Sequence, residues 1–178
     1  MSKRSLVAIA LVAIMVTCCS VVWADPSYSP PTTDTKLRIT NSSNTNRVLN
    51  VDTWGTPAQG DSVTVWSWSN NSTQWWKTDY YTTIGGIPVY KTCLFSDNSL
   101  LLNYHQADHH CTLYGVTGNS YTDYTHYWES VNGLYHLVLW NYTRYLGIPN
   151  DNLGANCIWY QLQNGPTSQE KWLVTVQT

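Results

Sequence analysis

Three tryptophans, Trp76, Trp128 and Trp172, close three blocks of similar pattern, 52 and 44 residues apart. Upstream of each lies a short run ending in an aromatic residue: SVTVW with Trp66, CTLY with Tyr114 and CIWY with Tyr160. Upstream again come VLNV, LLNY and YLGI, with Leu49, Leu102 and Leu146 in register. A unit this small cannot bury a core alone, so repetition at such a period implies units that pack on one another. Within each block, β-branched and aromatic runs alternate with Asn, Gly, Ser, Asp and Pro, without sustained helical periodicity. Many short strands between turn residues indicate an all-β sandwich or barrel. The expected organisation is three units, about 36–79, 80–132 and 133–178, closed around a pseudo-threefold axis with the three tryptophans packed inside.

The segment before Lys36 reads differently. Lys3 and Arg4 precede an apolar run from Leu6 to Val16, followed by Val22-Trp23-Ala24. This is the layout of a secretory signal, with cleavage expected after Ala24, and the run is short for a membrane span. Neither Cys18 nor Cys19 follows a residue that makes a good lipobox. Residues 25–35, DPSYSPPTTDT, form an expected flexible leader. The protein is thus expected to be secreted, without direct membrane insertion. Loss of residues 1–24 leaves seven basic against 11 acidic residues, a net charge of −4. Such a balance gives no footprint for nucleic acid.

The first block, RITNSSNTNRVLNVDTWGTPAQGDSVTVWSWSNNSTQWWKTD, resembles a repeat of the ricin B-chain-type β-trefoil lectins. The family motif Q-x-W is matched by Gln74-Trp75-Trp76 and reduced to His126-Tyr127-Trp128 and Glu170-Lys171-Trp172. The resemblance covers nearly all of 36–178, is strongest in the first block and weakest in the second. It implies an all-β chain, a β-trefoil built from three pseudo-symmetric repeats, that binds galactose- or N-acetylgalactosamine-type glycans without metal or cofactor. In that family an Asp after the Leu of the second strand accepts hydrogen bonds from the sugar, an aromatic stacks beneath it, and a polar residue before the Gln completes the grip. Carried over, these roles fall to Asn50, Trp66 and Thr73, with Gln74 as support. In the second block they fall to Asn103, Tyr114 and Thr125, and in the third to Gly147, Tyr160 and Gln169.

The aromatic is kept three times and the Asp nowhere. An amide can still grip hydroxyls as donor and acceptor, but without charge assistance. Asp52 and Trp54 are placed to supply a carboxylate and a second stacking face. Gly147 offers no side chain, which leaves the third block reliant on Asp151. Nine Trp and thirteen Tyr against one Phe after residue 24 suit surfaces that are stacked upon and wetted, as sugar sites are, although all-β folds also favour aromatics.

Three cysteines remain after residue 24, and the favoured pair is Cys93–Cys111, with Cys157 buried or cross-linking two chains. The segment His105-Gln106-Ala107-Asp108-His109-His110-Cys111 could offer metal ligands, but its spacing fits a solvated turn better. Asp52 and Asp61 read as turn residues beside Gly55 and Gly60 rather than as an acid/base pair, and no hydrolase elbow or phosphate loop appears, so an enzyme is not expected. Sequons occur at Asn41, Asn70, Asn71 and Asn141. The expected partners are glycans or glycoproteins, with a partner chain or homodimer left open. The rival is a protein-binding β-trefoil, such as a protease inhibitor or the cell-binding subunit of a toxin, because a fold alone does not decide function.

Overall fold

The structure is a computed structural model that describes Tyr28 and residues 33–116, 120–140, 143–161 and 167–177. The signal segment 1–24, most of the leader and the sequon at Asn141 lie outside the described residues. Among the described residues no helix is long and apolar enough to cross a bilayer.

Twelve strands follow one another: β1 (Lys36–Asn41), β2 (Val48–Asp52), β3 (Ser62–Trp66), β4 (Trp76–Ile84), β5 (Ile87–Leu94), β6 (Leu101–Tyr104), β7 (Cys111–Tyr114), β8 (His126–Val131), β9 (Leu134–Leu139), β10 (Arg144–Gly147), β11 (Ile158–Gln161) and β12 (Trp172–Gln177). Six of them close a barrel by antiparallel pairing: β1 with β4, β4 with β5, β5 with β8, β8 with β9, β9 with β12, and β12 back to β1. The other six form three hairpins, β2–β3, β6–β7 and β10–β11. Ser62 bridges to Thr112, Cys111 N–H donates to Cys157 O and Cys157 N–H donates to Val63 O, so the hairpins meet in a ring. Closure removes the free barrel edges that a small sheet would otherwise expose.

Strand pleating explains which residues fill the centre. In β2 and β3 the pairs Leu49–Val65 and Val51–Val63 face inward, while Asn50–Thr64 face the other side. Trp76, Trp128 and Trp172 are all fully buried in one cluster with Leu49, Leu102 and Leu146. Buried indole N–H groups need an acceptor. Trp76 Nε1 donates to Leu49 O at 3.1 Å and Trp172 Nε1 to Leu146 O at 2.9 Å, two equivalent contacts. The second unit departs: Trp128 Nε1 has no partner among the described residues, and Trp159 Nε1 donates to Asn103 O at 3.4 Å.

The expected Cys93–Cys111 disulfide is not formed; all three cysteines are free and buried. Register gives the reason. Cys93 on β5 faces Leu101 on β6, and Leu101 faces Tyr114 on β7. A whole strand therefore separates the two cysteines, about 10 Å at ordinary strand spacing, and Cys111 lies three residues further along. Disulfides need Cα atoms within roughly 7 Å. Cys93 instead packs with Leu101 and Tyr124, whereas Cys111 and Cys157 share the central core. Burial, and secondarily Asp79, pushes the Cys93 thiol up to about 12, so it is inert.

His126, at the place Gln74 holds in the first unit, is fully buried, with Nε2 2.6 Å from Thr92 Oγ1 and Nδ1 unpartnered. Burial drives its imidazole down to about 3. The folded chain thus keeps His126 neutral while the unfolded chain protonates below its ordinary value near 6.5, so stability is complete above that value and falls as acid is added. Denaturant melts should show the native protein losing about 2 kcal/mol more than His126→Gln between pH 7 and pH 5; equal losses would mean that His126 is not held neutral.

Candidate functional site

The outward face of the first hairpin carries the expected residues. Because side chains alternate, Asn50, Asp52 and Trp66 lie on one side of β2–β3. The segment Asn71–Gln74 folds over them. Asn50, Asp52, Thr53, Trp54, Trp66 and Asn71, with Thr73, surround a hollow of about 200 Å³. Five first-unit residues named from the sequence, Asn50, Asp52, Trp54, Trp66 and Thr73, are therefore brought together. Asn71 was noted only as a sequon, and nothing in the motif pattern marks it as a site residue.

Their availability differs. Asn50 is buried, with Nδ2 donating to Val51 O at 2.9 Å and Oδ1 3.0 Å from the Thr73 hydroxyl. That hydroxyl also lies 2.7 Å from Asn71 Oδ1. Asn50 thus positions the hollow from beneath. Asp52 and Asn71 are exposed, and Trp66 is 42% exposed. Trp54 stands fully clear of the surface. The hollow accordingly offers a ring face, a carboxylate and an amide. Trp66 is held from behind by the third unit: a Cβ on Gly154, whose φ is +77°, would lie 3.1 Å from the Trp66 ring, so only glycine permits this approach. Gly154 N–H also donates to Val65 O.

Gln74 is buried and ties the loop that builds the hollow. Its Oε1 accepts from Ser69 N–H at 2.8 Å and from the Ser69 hydroxyl, and its Nε2 donates to Ser67 O at 2.8 Å. Glu170 repeats the device in the third unit, accepting from the backbone N–H and hydroxyl of Thr167 as a capping box.

Among the described residues the other two units do not repeat the hollow's chemistry. Asn103 is buried, with Nδ2 3.4 Å from Thr112 Oγ1, and Tyr114 is 37% exposed. Thr125, however, is fully buried and its hydroxyl donates to Tyr121 O. A helical turn, Tyr121–Tyr124, buries Thr122, Asp123 and Tyr124 there, and Gln106 donates to Asp123 at 3.0 Å. In the third unit a Cβ on Gly147 would meet Glu170 Cγ at 2.8 Å and Tyr160 Cδ2 at 3.1 Å, so neighbours fill the space of the absent side chain. Tyr160 is only partly exposed, and Asp151 is engaged by Asn44 Nδ2 at 2.9 Å.

Elsewhere, Asp61 Oδ2 accepts from Ala58 N–H, as a turn residue does. Asp108 links His105 at 2.8 Å and His110 at 3.4 Å in the exposed loop. Among the described residues no group of three His, Cys, Asp or Glu converges on a metal position. Asn41 is fully buried, its Nδ2 donating to Gln169 O, which leaves no room for a glycan on that sequon.

No protein-family model and no curated protein matches the sequence. Solved structures do match the architecture. ThreeFoil, a designed threefold-symmetric protein, aligns with a TM-score of 0.62 at 20% identity over 80% of this chain and 99% of its own. The fold is a β-trefoil. A Macrolepiota procera ricin B-like lectin, solved with lactose, aligns over 82% of this chain and 98% of its own, with a TM-score of 0.59 at 12% identity. A mosquitocidal holotoxin gives a TM-score of 0.69 at 18% identity over 83% of this chain, which spans 18% of the holotoxin's length. The ricin B-like resemblance read from the first block is therefore met at the level of the fold.

The Gln74 contacts make a direct expectation. Gln74→Ala removes three hydrogen bonds and should cost about 2–3 kcal/mol in a denaturant melt. A loss below about 0.5 kcal/mol would show that the loop is held by other means.

Proposed function

We propose that this protein is a secreted, non-catalytic glycan-binding protein whose principal site is the first-unit hollow. The observation that carries the reading is the half-exposed Trp66 ring set beside the Asp52 carboxylate and the Asn71 amide in one small polar-rimmed concavity. A pyranose ring has an apolar C–H face and an equatorial belt of hydroxyls. Trp66 supplies the flat partner for the face, while Asp52 accepts and Asn71 both donates and accepts at the belt. Charge assistance from Asp52 takes the place of the carboxylate missing at position 50.

Galactose-type sugars are the proposed ligands, a choice supported by the lactose bound to the Macrolepiota procera lectin of the same fold. No metal is required by this set of contacts. The aromatic surface also favours sugar over a protein partner. Trp54 and Trp66 belong to the hollow, whereas Trp68 packs edge-on against Trp75 at 4.8 Å beside a different cleft. They do not merge into the broad apolar patch a protein interface would use.

A glycan array probed with residues 25–178, with and without chelator, tests the reading beside Trp66→Ala. Chelator-resistant binding to galactose-terminated glycans, weakened at least about tenfold by the substitution, is expected. Silence from folded protein would exclude the sugar site, and binding unchanged in Trp66→Ala would move it to another unit.

A further inference from the structure

The larger concavity of the first unit lies on the other side of the segment Trp66–Trp68. Strand β1 turns Leu37 and Ile39 into the core and Arg38 outward, where it faces Thr175 of β12 in register. The turn before β2 brings Arg47 to the same place. With Thr45, Asn46, Ser67 and Trp68 these residues enclose about 560 Å³ over a floor of Val48 and Leu173. Two guanidinium groups and no carboxylate line the space.

Among the described residues neither Arg38 nor Arg47 forms an ion pair. Among the described residues Arg38 Nη2 reaches the Thr175 hydroxyl, at 3.5 Å, and its buried Nε has no partner. Arg38 lies over the Trp68 ring at 5.1 Å, which steadies the guanidinium. Arg47 Nε donates to the backbone O of Asp151. The Asp151 carboxylate lies outside the lining, bonded to Asn44, and is held below the usual carboxylate range by that bond first and by Arg47 last. On the same face of β1, Lys36 sits 4.3 Å over the Trp75 ring, extending the positive strip, and among the described residues it forms no ion pair. A chain with more acidic than basic residues thus leaves two cations in one cleft and a third on the adjoining strip.

We propose that this cleft is a second binding site, for an acidic saccharide whose sulfate or carboxylate is taken by Arg38 and Arg47. A guanidinium fork matches either oxyanion with two parallel hydrogen bonds, and turning Arg38 outward toward the anion would free its Nε to serve as one of the donors. Thr45, Asn46, Ser67 and Thr175 provide neutral donors and acceptors of the kind that bind sugar hydroxyls. The saccharide assignment rests on the glycan-binding reading above; the oxyanion part stands on the cleft alone.

Calorimetric titration at low ionic strength decides it, with galactose, galactose 6-sulfate, galacturonic acid and inorganic sulfate as probes. At least one of the two acidic sugars should bind about tenfold more tightly than galactose, and which one does so separates a sulfate from a carboxylate partner. Arg47→Gln and Arg38→Gln should each remove most of that advantage, and Arg47→Gln should leave galactose binding as it was. Arg47→Gln alters a surface turn, so it remains informative if Arg38→Gln fails to fold. Acidic sugars that bind no better than galactose, or equally well to Arg47→Gln, would overturn the site. Inorganic sulfate competing as strongly as the sugars would overturn the saccharide assignment. Silent galactose with arginine-dependent acidic-sugar binding would sink the hollow beside Trp66 and leave the cleft standing.

Discussion

The molecule depends on a contact made twice: a fully buried indole that donates its N–H to the carbonyl of a leucine one hairpin away. Trp76 reaches Leu49 and Trp172 reaches Leu146, and each bond fastens a cap hairpin to a barrel strand. The indole contributes the volume a threefold core needs, and its acceptor removes the penalty of burying a polar N–H. Trp128 has the same burial without the bond, and the middle unit is also where the loop before the tryptophan becomes a helical turn. The symmetry is therefore one of packing first and of hydrogen bonding second.

That hierarchy explains what could be read in the sequence. Trp76, Trp128, Trp172 and the three registered leucines are large apolar groups at repeating positions, and only mutual burial accounts for such a pattern. Trp66, Tyr114 and Tyr160 were likewise legible as outward residues at strand ends. The cysteine pairing was not, because it turns on strand order: Cys93 and Cys111 are close along the chain, yet β6 stands between them. Nor could the sequence show that the Asn50 amide is satisfied internally by Val51 and Thr73, or that Glu170 and Tyr160 fill the space above Gly147. These contacts join segments brought together only by the finished fold. The basic cleft is the extreme case, since Arg38 and Thr175 lie 137 residues apart.

The three units have diverged around a common frame. The first keeps an open hollow with Asp52 and Asn71 exposed at its rim. The second buries the equivalent of Thr73, and the third lacks a side chain at position 147. The frame tolerates this because the inward rows carry the packing while the outward rows are left to vary. Gln74 and Glu170 illustrate the boundary between the two: both accept from the backbone N–H and hydroxyl of a single residue upstream of the tryptophan, Gln74 from Ser69 and Glu170 from Thr167.

Gly154 links that variation to the whole. It belongs to the last third of the chain, yet it is what stands behind the Trp66 ring. The platform of the first unit is consequently not a property of the first unit: it includes the third-unit segment that Gly154 N–H, Ala155 O and Cys157 N–H hold against β3. A chain cut short near its carboxyl end would retain Asn50, Asp52, Trp54, Trp66 and Asn71 and still present an unbacked ring. The backing of the first unit's ring is in this sense a contribution from the far end of the sequence.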